Sequence, residues 1–477
     1  MIDVLLINPP YLNRFSREQR SPGVTKSGTL YYPMWLAYAT GKLEDAGYRC
    51  RLIDAVANQL TPEDIRSITQ AEQPRLIVVS TSTPSIDNDA GLAVELKKIA
   101  GAVVVLVGPH VSALHQNIIE QYSQIDAVAR GEYEEIIQRL ADAITHQTPW
   151  DMIKGLTWRS NNRVIVNPSA PSPENLDAMR FVSRVYHDHL HIAKYRYSSC
   201  QHPVISLVTS RGCINHCIFC VYTQIFSGRV VRQRSIDNII AEIRYLQLTF
   251  PEVKEIMFED DTFTYNLARV RAFCQQLLEE KIRLTWSANA RVQVDYDTLR
   301  LMKRAGCRLL CVGYESGSQQ ILNRIKKGTT VEMMHRFSRE ARRAGILIHG
   351  CFMFGHPDET PATMQQTLDL AKKINPDSAQ FFPVMAYPGT ELFAWAKSHG
   401  YLTTTNFRSW VTAEGWHNCV VSRPGLTADD LTNFCRRARK EFYLRPKYLS
   451  QKVWQVIRYP SELTRNVLAF KNLFRHL

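Results

Sequence analysis

A chain of 477 residues is too long for one ordinary hydrophobic core, and 45% hydrophobic with 22% charged side chains excludes a disordered or solvating polymer. No apolar run reaches the ~18 residues that a bilayer span needs. The formal net charge of +13 is uneven: from Leu426 to Leu477 eleven Lys or Arg stand against four Asp or Glu, so this stretch carries +7 by itself.

The first segment, "MIDVLLINPPYLNR", has a short apolar run with no basic region before it and no small-residue cleavage site after it, so it reads as a first strand of a cytoplasmic protein. Eleven scattered cysteines, an odd number, favour thiols, a metal site or catalysis over a disulfide framework. The runs "VLLIN", "RLIDA", "LIVVS", "VVVLVG" and "AVARG" alternate with helical patterns such as "PMWLAYATGKLEDAG". That alternation predicts a doubly wound parallel α/β domain over residues 1–150. Pro, Ser and Asn then crowd "WRSNNRVIVNPSAPSPENLD", which predicts a linker over 151–198.

A second series follows over 199–390: "VISLVTS", "EIMFED", "RLTWSAN", "RLLCVGYES", "ILIHGCFMFG" and "SAQFFPV", again separated by helical segments. Six strand–helix repeats predict a barrel or partial barrel, with its chemistry at the C-terminal ends of the strands. Just after the first of these strands stand Cys213, Cys217 and Cys220 in "SRGCINHCIFC". Three thiolates at Cys-x3-Cys-x2-Cys spacing can hold three corners of a cubic iron–sulfur cluster and leave the fourth iron open to an outside ligand. Gly212 lets the backbone approach closely, and Phe219 and Tyr222 can shield such a cluster from water. A Cys3His zinc site using His216 is the competing reading, but zinc ribbons bring two separated Cys-x2-Cys knuckles and no second one occurs. Cys274, Cys307 and Cys351 read as packing residues.

With "FEDDTFT", "SANARV", "VGYESGS" and "FMFGHPDET" following in order at strand ends, the chain resembles the radical S-adenosylmethionine (SAM) enzymes, over nearly its whole length. The resemblance implies a four-iron four-sulfur cluster on Cys213, Cys217 and Cys220 of a partial (β/α)6, TIM-like barrel. It also implies that SAM chelates the open iron and is cleaved to methionine and a 5′-deoxyadenosyl radical. Carried over by position, Asp260 and Asp261, beside Glu259, meet the donor's amino group, although the family's glycine pair plus Glu is replaced here by "DDT". Arg291 pairs with its carboxylate, Glu315 accepts from ribose hydroxyls, and Phe354, between Gly350 and Gly355, meets the adenine. A mutual or surface ion pair is the plain alternative for Arg291 and Glu315.

The strand-end loops "INPPYLN", "STSTPS", "VGPHVSA" and "ARGEYE" of the first domain resemble those of the Rossmann-like cobalamin-binding domains fused to such barrels. The resemblance implies a corrin cradle of Asn8, Ser80, Thr81, Ser82, Gly108, Pro109, His110, Gly131 and Glu132. No Asp-x-His-x-x-Gly occurs, so the implied cobalamin lacks a lower histidine ligand, and His110 contacts the corrin edge or caps the helix after it. No Gly-x-Gly-x-x-Gly follows the first strand, which argues against a dinucleotide.

Such fusions imply a cobalamin-dependent radical SAM methyltransferase acting on an unactivated carbon of a small-molecule, lipid or natural-product substrate. Radical cyclisation or rearrangement, as in the anaerobic cyclase of bacteriochlorophyll synthesis, is the alternative within the class. A non-catalytic iron–sulfur electron carrier is the alternative outside it, though a carrier has no need of donor-binding segments. A flavodoxin or ferredoxin is the expected electron donor. Tyr387, Pro388, Trp410 and Trp416 are expected to line or cover the barrel mouth. Residues 391–477 read as a helical, basic region that closes the barrel or touches a membrane surface or an anionic substrate; no nucleic-acid module appears.

Overall fold

The computed structural model describes residues 2–458. Five parallel strands, β1 (Val4–Asn8), β2 (Cys50–Asp54), β3 (Leu76–Ser80), β4 (Val103–Val107) and β5 (Ala127–Ala129), form the first sheet in the order β2-β1-β3-β4-β5. Their residues alternate between two cores. Val4, Leu6, Val78 and Val105 pack into the core shared with the rest of the chain, while Leu5, Ile7, Val79 and Leu106 meet Ile65, Ala90, Ala93 and Leu96 on the opposite face. Burial on both faces is why these strands read as unbroken apolar runs.

The segment 151–198 is not the plain linker expected. Two further strands, β6 (Leu156–Ser160) and β7 (Arg163–Val166), extend the first sheet antiparallel beyond β5. Asn161 and Asn162 both have positive φ, 45° and 63°, the backbone of a type I′ hairpin turn. The same asparagines that suggested a loop make the turn.

The second sheet is parallel throughout, in the order β15-β14-β13-β12-β11-β8. Its strands are β8 (Val204–Leu207), β11 (Glu255–Phe258), β12 (Trp286–Ala290), β13 (Cys307–Glu315), β14 (Leu347–Phe354) and β15 (Ser378–Pro383); β9 (Ser210–Arg211) and β10 (Arg232–Gln233) pair separately. The connecting helices obey local rules. In Val331–Ala344, Thr330 caps the Met333 N–H, Gly345 ends the helix in the left-handed region, and Met334, Phe337, Ser338 and Ala341 bury one stripe.

The first domain is clamped to the β9–β10 pair that follows β8. Arg232 makes a bidentate pair with Glu132 at 2.6 and 2.7 Å, and Arg211 reaches Glu134 at 2.7 Å. The Arg211 guanidinium also lies 4.6 Å from the ring centroids of Trp35 and Tyr38.

The C-terminal region is only partly helical. Helices Glu391–Ser398, Ala428–Tyr443 and Pro446–Arg458 frame an irregular stretch, held by isolated bridges such as Leu402↔Val421 and Val411↔His417. That stretch returns to the first domain: Val24 donates to Gly415, and the Phe407 ring packs 4.8 Å from His110. The basic stretch from 459 to 477 lies outside the described residues. Among the described residues no helix is long and apolar enough to cross a membrane.

Candidate functional site

A cavity of about 1400 Å³ opens between the strand ends of the second sheet and the loop after β1. It is larger than the ~300–1,000 Å³ of a single small-ligand pocket, so it has room for more than one molecule.

Cys213, Cys217 and Cys220 all line this cavity. The loop that carries them is tied down by its own polar groups. Gln224 Nε2 donates to the carbonyls of Cys217, Ile218 and Cys220, each at 3.1 Å, while its Oε1 accepts from Glu391 N. Gly212 has φ +86°, and a Cβ there would collide with the Val230 carbonyl. Asn215 Nδ2 donates to Cys213 Sγ at 3.0 Å, and burial, with Asp261 nearby, pushes the Cys220 thiol up. His216 is exposed and does not line the cavity, so the Cys3His zinc alternative has no geometric support. Three cysteines of one loop bordering one open cavity are the donor set a cluster with one free iron needs, and they fit it.

Beyond β11 the side chains alternate. Glu259 and Asp261 face the cavity; Asp260 faces away. Asp260 accepts from Thr209 N, Thr209 Oγ1 and Ser210 Oγ, all at 2.6 Å, so it braces the turn before the cysteine loop and is not placed to bind SAM. Asp261 accepts from Gly212 N at 3.0 Å and Ser227 Oγ at 2.9 Å, and lies 3.7 Å from Arg20. Glu259 accepts from Asn289 Nδ2 at 3.0 Å.

Arg291 and Glu315 both line the cavity but do not pair with each other. Arg291 donates to the Lys327 carbonyl and to Thr329 Oγ1, while Glu315 takes a 2.8 Å bond from Lys327 Nζ. Lys327 and Arg20 were missed from sequence because they reach the cavity from outside the strand-end motifs, whereas Asn215 and Asn289 stand inside "SRGCINHCIFC" and "SANARV" and carry no charge or thiol to single them out. Phe354 does not face the cavity. It is fully buried, packs edge-on against Phe434 at 4.9 Å, and its carbonyl accepts from Val384 N, so adenine contact through it is corrected to a core role; its neighbour Met353 lines the cavity. Tyr387 and Trp416 do line it, whereas Trp410 is wholly buried behind Tyr387.

The nine cradle residues cluster at the strand ends of the first sheet, as expected, but none lines the cavity. Asn8 bonds Asp54 and Arg17, Thr81 bonds the Val107 carbonyl, Ser82 bonds Ser85, and Glu132 is held by Arg232. Ser80 is buried beside them, and Pro109 opens the short helix Pro109–Ala113. Gly108 has φ +120°, with a notional Cβ 2.7 Å from the Thr81 carbonyl, and Gly131 N donates to Ser112 Oγ. His110 does not cap that helix. Its Nδ1 meets Thr83 Oγ1 at 3.1 Å, burial drives its pKa down to about 3, and Nε2 is buried with no hydrogen-bond partner. A neutral imidazole with an unsatisfied buried nitrogen fits a polar ligand edge there. The first domain meets the cavity itself through Glu18 to Ser21, Val24 to Ser27, Met34 and Trp35.

The model of the Radical SAM superfamily matches residues 207–371, and that of the B12 binding domain matches residues 20–141. An uncharacterized methyltransferase of Pyrococcus horikoshii is 31% identical over 457 residues, 95% of each chain. The anaerobic magnesium-protoporphyrin IX monomethyl ester cyclase of Rubrivivax gelatinosus is 26% identical, covering 82% of this chain and 69% of its own. The solved radical SAM methyltransferase TsrM of Kitasatospora setae, with cobalamin and a [4Fe-4S] cluster bound, superposes with TM-score 0.70 at 18% identity, over 93% of this chain and 89% of its own.

Proposed function

Because this chain belongs to the radical SAM enzymes that carry an N-terminal B12 binding domain, we propose that it transfers a methyl group from cobalamin to an unactivated carbon of a small molecule. The observation that carries this is a single cavity bordered by the three cluster cysteines and by the β1 loop of the B12 binding domain. The cradle residues stand at the strand ends of that domain, outside the cavity lining, so the β1 loop is what brings the B12 binding domain up to the cluster cysteines.

When bound, the cluster supplies the electron that cleaves SAM and cobalamin supplies the methyl group. The chain does the rest. Cys213, Cys217 and Cys220 hold three irons; Glu259 and Asp261 meet the donor's ammonium; Arg291 meets its carboxylate; the Glu315–Lys327 pair sits within reach of ribose hydroxyls. His110 offers Nε2 to the corrin edge. The wall of aromatic and aliphatic groups, including Tyr31, Trp35 and Phe382, keeps bulk water from a radical.

The substrate carries an anionic group. Lys26, Arg436 and Arg439 line the cavity, and among the described residues none is paired with a carboxylate. Burial, with Arg439 and Arg436 nearby, lowers Lys26 to about 8, which an anion would reverse. Leu449, Val453 and Ile457 line the cavity too and are exposed, with Trp454, on helix Pro446–Arg458, which supports a lipid-like substrate or contact with a membrane surface. Eleven free cysteines suit a reducing cytoplasm, and the net charge of +13 suits an acidic flavodoxin or ferredoxin as reductant.

The test is stoichiometry. Methyl transfer consumes two SAM molecules per turnover, so 5′-deoxyadenosine and S-adenosylhomocysteine should accumulate one to one, and deuterium from the donor methyl should enter the product. Substrate-dependent 5′-deoxyadenosine without S-adenosylhomocysteine, in cobalamin-replete protein, overturns methylation and favours the cyclase-type alternative, which the Rubrivivax relative represents.

A further inference from the structure

Cys311 on β13 and His349 and Cys351 on β14 place one ligand atom each within 4.8 Å of one another. The register explains why. Cys311 pairs with His349 across the two parallel strands, and Cys351 lies two residues beyond His349, so all three side chains leave the same face of the sheet. That face lines the large cavity, and none of the three residues belongs to the cluster loop. Two thiols and an imidazole are the ligands zinc prefers. Zinc–sulfur bonds of ~2.3 Å in a tetrahedron put sulfurs ~3.8 Å apart, which the observed spacing reaches with a small contraction.

The surroundings suit such a site. His349 Nδ1 is oriented by the Ser378 hydroxyl at 2.8 Å, the kind of outer partner that metal-bound imidazoles use. Two neutral thiols on one wall can each give up a proton to a divalent cation.

We propose that Cys311, His349 and Cys351 bind one zinc-class divalent cation, with the fourth position open to the cavity for an anionic donor atom of the substrate. Binding converts two thiols to thiolates and releases two protons, with no change of oxidation state. The metal anchors the substrate on the strand wall of the space that the cluster cysteines border. This site does not depend on whether the reaction is methylation or cyclisation.

The test separates it from the cluster. In full-length Cys213→Ala/Cys217→Ala/Cys220→Ala protein, freed of metal by chelation, titration with Co2+ alone should give thiolate-to-cobalt charge-transfer absorption saturating at one equivalent and displaced by Zn2+. Adding Cys311→Ser and Cys351→Ser should abolish it. Absence of the absorption in the triple variant, or its persistence in the fivefold variant, overturns the site. If the triple variant fails to fold, cluster-bearing protein loaded with zinc decides. Cys351→Ser should then lower zinc from one per chain to near zero while iron stays unchanged, and equal zinc in both proteins refutes the proposal.

Discussion

Lys327 Nζ donates a 2.8 Å hydrogen bond to Glu315 Oε1, and both side chains are more than nine-tenths buried at the cavity wall. Gly313 makes the pair possible, since a Cβ there would collide with the Glu315 carboxylate. Lys327→Met leaves that carboxylate alone and should cost about 3–5 kcal/mol, the scale for breaking a buried pair. The double variant Lys327→Met/Glu315→Leu should regain most of the melting temperature but not SAM affinity. Thermal melting and equilibrium SAM binding, measured on the same proteins, check both halves.

The two adjacent aspartates should separate cleanly. Asp260→Asn removes an acceptor from Thr209 and Ser210 and should lower stability by about 1.5–3 kcal/mol, with SAM affinity little changed once folded. Asp261→Asn should do the reverse, weakening SAM at least tenfold. A binding loss confined to Asp260→Asn would mean that the strand-end alternation has been read the wrong way round.

Asn215 is expected to tune the cluster without holding it. Hydrogen bonds to cluster sulfurs favour the reduced state, so removing the Asn215 amide from Cys213 Sγ should lower the reduction potential. Asn215→Ala should retain full iron content and shift the midpoint of an electron paramagnetic resonance redox titration to more negative values. The three cysteine-to-alanine changes together should abolish the cluster and SAM cleavage.

Glu18 gives a pH signature. Its carboxyl is half-buried at the cavity wall, accepts from Trp35 N at 2.6 Å, and desolvation raises its pKa to about 8. A carboxyl whose folded pKa lies above its unfolded value contributes stability that is fully present below the unfolded pKa, near 4.5, and is lost as pH rises towards 8. The loss approaches about 1.4 kcal/mol per pH unit within that window. Glu18→Gln keeps an acceptor for the helix N-terminus and should flatten the fall of melting temperature between pH 5 and 8. An unchanged slope would show that Glu18 is not the group responsible.

Much of the site was legible in the sequence because it depends on local spacing. Cys-x3-Cys-x2-Cys lies within one loop, so the placing of three cysteines on one cavity follows from eight consecutive residues and the glycine before them. The eleven parallel strands were readable for a related reason: sheets buried on both faces demand continuous apolar runs, and the helices between them set the crossovers. Asn161–Asn162 shows the limit of composition, because asparagine serves a hairpin turn as readily as a loop.

What tertiary structure alone decided is which of several similar residues faces the cavity. Asp260 and Asp261 are chemically alike, and only the strand's exit angle from β11 sends one into the turn and the other to the opening. Phe354 and Met353 exchange places in the same way, because helix Ala428–Tyr443, from far along the chain, covers Phe354. Lys327 reaches Glu315 from a loop twelve residues away, and Cys311 meets His349 and Cys351 only through the β13–β14 register. Spacing along the chain determines what a loop can gather. Strand register, side-chain alternation and distant packing determine what it gathers with, and those are set by the whole core at once.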